Sequence, residues 1–119
     1  MNLAETIVRV DRRVWIVSSK IEDNFYRGWS AQELGQLVNL SPSRLRHLFK
    51  HQTGETLRRH LISRRLQEAR LLLLTTTLSV KEIRNRVGIA DASNFTHQFQ
   101  KEIGMSPTMY REGRSVDAL

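Results

Sequence analysis

The chain has 119 residues, with 19 Lys and Arg against 12 Asp and Glu, a formal net charge of +7 and a pI near 10.8. That length allows one compact domain or two very small ones, and the basic balance favours a polyanionic partner, either nucleic acid or an acidic membrane surface. Cysteine is absent, which excludes disulfides and thiolate metal sites. The longest leucine run, Leu71–Leu74, is far too short to span a membrane, and the first residues carry no signal-peptide pattern, so a soluble cytoplasmic protein without a membrane partner is expected.

The first predicted element covers residues 5–24. Ile7, Val10, Val14, Val17 and Ile21 recur at alternating three- and four-residue steps, with Trp15 beside them, which is the period of an amphipathic helix. Gly28 is expected to close this segment. Ser30 and Glu33 then form a capping-box pattern, and Trp29 with Leu34 has the spacing of a hydrophobic staple. The short helix that follows is expected to run to about Val38.

Next comes the most informative stretch, Ser41–Gly54. Ser41 is a good N-cap, and Pro42 suits the first helical position, where its missing N–H costs nothing. Leu45, Leu48 and Phe49 make one apolar face, while Ser43, Arg44, Arg46, His47 and Lys50 make a polar, cationic one. A helix that packs on one side and offers hydrogen-bonding cations on the other has the chemistry to lie in a DNA major groove. Residues 56–74 contain neither Gly nor Pro, and Leu57, Leu61, Leu66, Ala69, Leu72 and Leu73 line one face. This predicts a stiff helix of roughly 28 Å at about 1.5 Å per residue. Arg58, Arg59, Arg64, Arg65 and Arg70 are candidates for phosphate contact but are read mainly as its solvated face, with a tie to a neighbouring subdomain the further reading for Arg65.

The earlier pattern then returns. Leu78, Ser79 and Glu82 repeat the staple and capping box, the next short helix ends near Val87-Gly88-Ile89, and Asp91 caps a helix holding Phe95, Phe99 and Ile103. Leu45, Phe49 and Gly54 correspond to Phe95, Phe99 and Gly104 at one shared offset. The capping serines differ by one residue less, so the second turn is one residue longer. Ser106-Pro107 opens a last short helix through Met109, Tyr110 and Arg111, and residues 115–119 carry no clear signal. No strand-like alternation of useful length occurs. The expected fold is all-α, with about seven helices in two helix-turn-helix subdomains joined by a long linker helix: residues 1–54, 55–76 and 77–114, then a tail at 115–119.

The bland readings also count. His47 and His51 stand one helical turn apart, but no carboxylate or cysteine completes a metal set, so neither a metal nor another cofactor is expected. Nor is there a glycine-rich phosphate loop, a nucleophile elbow or an acid–base carboxylate pair, so no enzyme is expected.

The chain resembles the DNA-binding domain of the AraC/XylS family of bacterial transcription regulators. The likeness is carried by Leu40-Ser-Pro-Ser-Arg-Leu45, Leu48-Phe-Lys50, Thr53-Gly54, Arg65-Leu-Gln-Glu-Ala-Arg-Leu-Leu-Leu73, Glu82-Ile83, Val87-Gly88, Asn94-Phe95, Phe99-Gln-Lys101, Gly104-Met-Ser-Pro107 and Tyr110-Arg111. The resemblance implies that the third and sixth helices read DNA. By position, the base-facing candidates are Ser43, Arg46, His47, Ala92, Ser93, Asn94 and His97. The residue chemistry agrees: Arg46 suits a guanine O6/N7 edge and Asn94 an adenine edge. Ser41, Arg44, Lys50, Asp91, Thr96 and Lys101 are the phosphate-contact candidates, through side chains or the helix N-termini they cap.

Some positions depart from the family's habit: Gly35 and Arg84 for alanine, Ile89 for phenylalanine, Gln100 for lysine, and His60 for tyrosine. The expected activity is sequence-specific DNA binding by a monomeric chain that regulates transcription, as an activator, in the bacterial cytoplasm at the nucleoid. Double-stranded DNA is the expected partner and RNA polymerase a further one. A non-specific architectural DNA binder, or a helical protein-interaction module using residues 56–74, are the competing expectations.

Overall fold

Asp11, Ser30, Ser41, Ser79 and Asp91 each accept a backbone N–H two or three residues ahead, and a helix follows every one of them. These caps satisfy N–H groups that the first helical turn leaves without partners. The computed structural model describes residues 10–117, with side chains through residue 113. Among them lie seven helices and no strand: α1 (Arg12–Asp23), α2 (Ala31–Leu37), α3 (Pro42–Thr53), α4 (Leu57–Thr75), α5 (Val80–Arg86), α6 (Ala92–Ile103) and α7 (Pro107–Asp117). Both expected capping boxes, Ser30 with Glu33 and Ser79 with Glu82, are formed.

The described residues separate into two units. The first holds the chain up to Asn24 and Gly28–Leu61; the second holds Phe25–Arg27 and the chain from Ile62 onward. In the first, Val14, Val17 and Ile21 of α1, Leu34 of α2, Leu45 and Phe49 of α3 and Leu57 of α4 form a buried core, with Trp29, Leu40, Leu48 and Leu61 packed against it. In the second, Leu66, Ala69 and Leu73 of α4 meet Ile83, Val87, Ile89, Phe95 and Phe99, with Phe25, Ile62, Leu72 and Tyr110 around them. Burying one such side chain contributes about 1.5–3 kcal/mol. The apolar residues of α4 therefore serve two cores, Leu57 and Leu61 in one and Leu66 onward in the other.

Several local expectations need correction. The first helix begins at Arg12, because Asp11 adopts an extended ψ of 129° and its side chain accepts the Arg13 N–H. Val10, expected on the apolar stripe, is exposed ahead of that cap, and Ile7 lies outside the described residues. Its other end, at Asp23 with Asn24 as C-cap, falls within a residue of the expected one. The last helix is longer than expected, its backbone continuing through Asp117; residues 118 and 119 lie outside the described ones.

The arginines of α4 are also more engaged than a solvated face would be. Arg65 donates through Nε to the Phe25 carbonyl and through Nη2 to the Arg27 carbonyl, both at 2.7 Å; burial pushes its pKa down. Arg64 covers the Phe25 ring at 4.2 Å and pairs with Glu68 at 3.2 Å. Arg70 donates to the Tyr110 hydroxyl at 2.8 Å. Arg111 donates to the Leu73 and Thr76 carbonyls, both at 3.3 Å, where the end of a helix leaves acceptors without partners. These guanidinium groups fasten the Phe25–Arg27 segment and α7 to the second core.

Candidate nucleic-acid interface

The first unit builds its exposed face on α3. The Ser41 hydroxyl accepts the Arg44 N–H at 3.2 Å, Pro42 sits in the first turn, and Gly54 closes the helix with φ of 83°. Leu45 and Phe49 are fully buried, so the helix has one orientation on its core. Ser43, Arg44, Arg46, His47 and Lys50 are thereby left exposed. Ser43, Arg44 and His47 line a groove of about 420 Å³ together with Leu40, Leu48, His51 and, from α1, Arg13. Arg46 stands on the other flank of α3, beside a smaller hollow of about 260 Å³ whose wall includes Trp29, Ala31 and Arg58. The His47 and His51 rings lie nearly parallel, their centroids 6.4 Å apart. The Lys50 ammonium donates to the Gly54 carbonyl at 3.1 Å; it has two further N–H groups to offer a phosphate.

The second unit repeats this construction on α6. Asp91 accepts the Asn94 N–H at 2.7 Å, Phe95 and Phe99 point inward, and Gly104 closes the helix with φ of 98°. Ala92, Ser93, Asn94, Thr96, His97 and Lys101 are exposed. Lys101 is the one lysine or arginine in α6, whereas α3 carries Arg44, Arg46 and Lys50. The cap differs too: a carboxylate at Asp91 offsets the positive end of the helix, so that terminus attracts a phosphate less than the neutral Ser41 cap does.

The turns preceding the two helices are built differently. In the first, Gly35 lies against the turn: a Cβ there would stand 2.3 Å from the Leu40 carbonyl oxygen. In the second, Arg84 holds the corresponding place and its Nη1 donates to the Ile89 and Ala90 carbonyls. One turn approaches its helix closely, and the other is bridged by a side chain. His60, in α4, brings Nδ1 to 2.6 Å from Glu55 and sets its ring edge on Phe49.

All sequence-derived candidates are exposed, and within each unit they share one helix. Arg13 and His51 were missed as neighbours of this face. For Arg13 no local signal exists, since it reaches the groove from another helix.

A helix-turn-helix domain family matches residues 34–113. The chain belongs to the AraC/XylS family. Among curated relatives, the transcriptional activator RhaS of Klebsiella pneumoniae is 34% identical over 115 residues, covering 97% of this chain and 41% of that protein. The chain thus spans about two fifths of the length of such curated relatives. Among solved structures, the C-terminal domain of AraT, a response regulator from Geobacillus stearothermophilus, superposes with a TM-score of 0.83 at 29% identity, covering 88% of each chain. The DNA-binding domain of AdpA, solved in complex with a target DNA, superposes at 0.84 with 22% identity, covering 90% of this chain and 96% of that one, and is similar in fold.

Proposed function

We propose that this chain binds double-stranded DNA at specific sequences and regulates transcription, each unit placing its recognition helix in a major groove. One observation carries the reading: α3 and α6 each bury two large apolar side chains completely or almost so and leave hydrogen-bonding side chains exposed on the other face. Arg46 and Asn94 are the main base readers, the first for guanine and the second for adenine. Ser43, His47, Ser93 and His97 add hydrogen bonds, and Ala92 offers an apolar contact for a thymine methyl. Arg44, Lys50, Thr96 and Lys101, with the N-termini capped by Ser41 and Asp91, position the chain on phosphates. The direction of regulation is activation, as RhaS's name states for that relative, with RNA polymerase the second partner. The chain acts as a monomer in the bacterial cytoplasm, without catalysis.

Selection of bound duplexes from a random DNA pool tests this reading. The expected outcome is a motif with two preferred blocks about ten base pairs apart, one for each recognition helix. A chain that retains DNA equally well whatever its sequence, at fixed salt, is instead an architectural binder. A chain that retains no DNA is an interaction module.

A further inference from the structure

Arg13 is held in an unusual way for a surface arginine. Its Nε donates to Asp11 Oδ1 at 3.1 Å and its Nη2 to Asp11 Oδ2 at 2.9 Å, a two-point pairing that restricts the guanidinium. The same carboxylate caps α1 through the Arg13 N–H at 2.8 Å. The Asp11 N–H in turn donates to Gln52 Oε1 at 3.0 Å, which ties the start of α1 to the last turn of α3. Through these links Arg13 comes to line the groove that Ser43, Arg44, His47 and His51 form on the exposed face of α3. Its side chain remains 46% exposed. A guanidinium has five N–H donors; Asp11 takes two of them, and three point elsewhere. The acidic partner stays ionised in any ordinary buffer, because the Arg13 side chain and backbone hydrogen bonds hold it at about 2.

We propose that Arg13 is a DNA phosphate-contact residue, with Asp11 as its positioning residue, and that the groove between α1 and α3 seats one sugar–phosphate segment of the bound strand. This rests on the DNA-binding reading above and extends the interface to a helix outside the helix-turn-helix. The surroundings fit an anion: Arg44 adds a second guanidinium, His47 and His51 add imidazole donors, and Ser43 a hydroxyl. Among the described residues, no acidic side chain lines the groove. A phosphate contact positions the protein without reading bases, so the effect of Arg13 is the same on every duplex.

The test uses the whole chain and a duplex selected by it from a random pool, titrated between roughly 50 and 200 mM salt. Arg13→Ala is expected to weaken binding about five- to tenfold on cognate and random duplexes alike, and to lower the slope of log affinity against log salt by about one. Arg13→Lys should keep the wild-type slope. Arg12→Ala, a neighbouring cation that does not line the groove, should stay within about twofold of wild type. Melting curves check that each variant folds. If Arg13→Ala does not, Arg13→Gln removes the charge and reads the same slope. Wild-type affinity and slope in Arg13→Ala, while His47→Ala binds more weakly, would overturn the Arg13 assignment alone. A weakened Arg13→Ala with an unchanged slope would also overturn it, since Arg13 would then act only by steadying α1. If His47→Ala and Arg46→Ala bind as well as wild type, α3 is not the recognition helix; if the wild-type chain retains no duplex, the DNA-binding reading itself fails.

Discussion

The two helix-turn-helix units share a plan and differ in charge. Both cap their second helix, α3 or α6, at the residue just before it, bury two large apolar side chains four residues apart, and end on a glycine with positive φ. Around α3 stand Arg13, Arg44, Arg46 and Lys50, whereas α6 offers Lys101 and carries a carboxylate at its cap. A recognition helix needs its inner face to be fixed in one orientation, which tolerates little variation. Its outer face is free to differ, because exposed side chains change stability little. On the proposed reading, most of the phosphate-driven affinity is expected from the first unit, and the second is expected to read bases by neutral hydrogen bonding.

The largest expected effect breaks the second unit. Gly88 has φ of 86°, and a Cβ there would lie 2.3 Å from the Tyr26 carbonyl oxygen. Gly88→Ala combines left-handed strain with a backbone clash and should cost about 3 kcal/mol in a denaturant titration. Gly35→Ala, against the Leu40 carbonyl, should cost the first unit about 2 kcal/mol, from overpacking alone. A melting temperature unchanged in Gly35→Ala would show that this turn yields without loss.

Binding sharpens the contrast next. Arg46→Ala should lose about 1–3 kcal/mol of DNA affinity, and Asn94→Ala should lose less; the opposite order in a titration would remove the first unit's dominance. A smaller effect concerns the second turn. Arg84→Ala leaves the Ile89 and Ala90 carbonyls without their guanidinium and should lower stability by about 1 kcal/mol.

The smallest effect is one of pH. Arg13 holds Asp11 at about 2 against an ordinary 3.8, so in that interval the folded chain binds fewer protons at Asp11 than the unfolded one. The stabilisation is complete above about pH 4 and fades as pH falls toward 2. The melting-temperature gap between wild type and Asp11→Asn should shrink over the same window, since asparagine still caps the helix but cannot be held as an anion.

Much of this was readable in the residues themselves. The capping boxes at Ser30 and Ser79, the Ser41 cap with Pro42, and the inward pairs Leu45/Phe49 and Phe95/Phe99 are local signals, and the structure repeats them. The exposed candidates on α3 and α6 follow from the same periodicity, because burying one face of a helix exposes the other. Three features could not be read this way. The start of α1 turned on whether Asp11 capped a helix or rode within one. The acceptors of the α4 arginines, the Phe25 and Arg27 carbonyls for Arg65 and the Tyr110 hydroxyl for Arg70, were not legible because they lie 38 to 40 residues away along the chain.

Arg13 is the third. Sequence by itself determined the helices, their caps, the repeat and which face of each recognition helix is polar, since all of these depend on neighbours within about four residues. Only the tertiary structure decided which groove Arg13 enters, which carbonyls the α4 arginines hold, and that α4 contributes to two cores. Those outcomes depend on residues distant in sequence meeting in space, which no local spacing encodes.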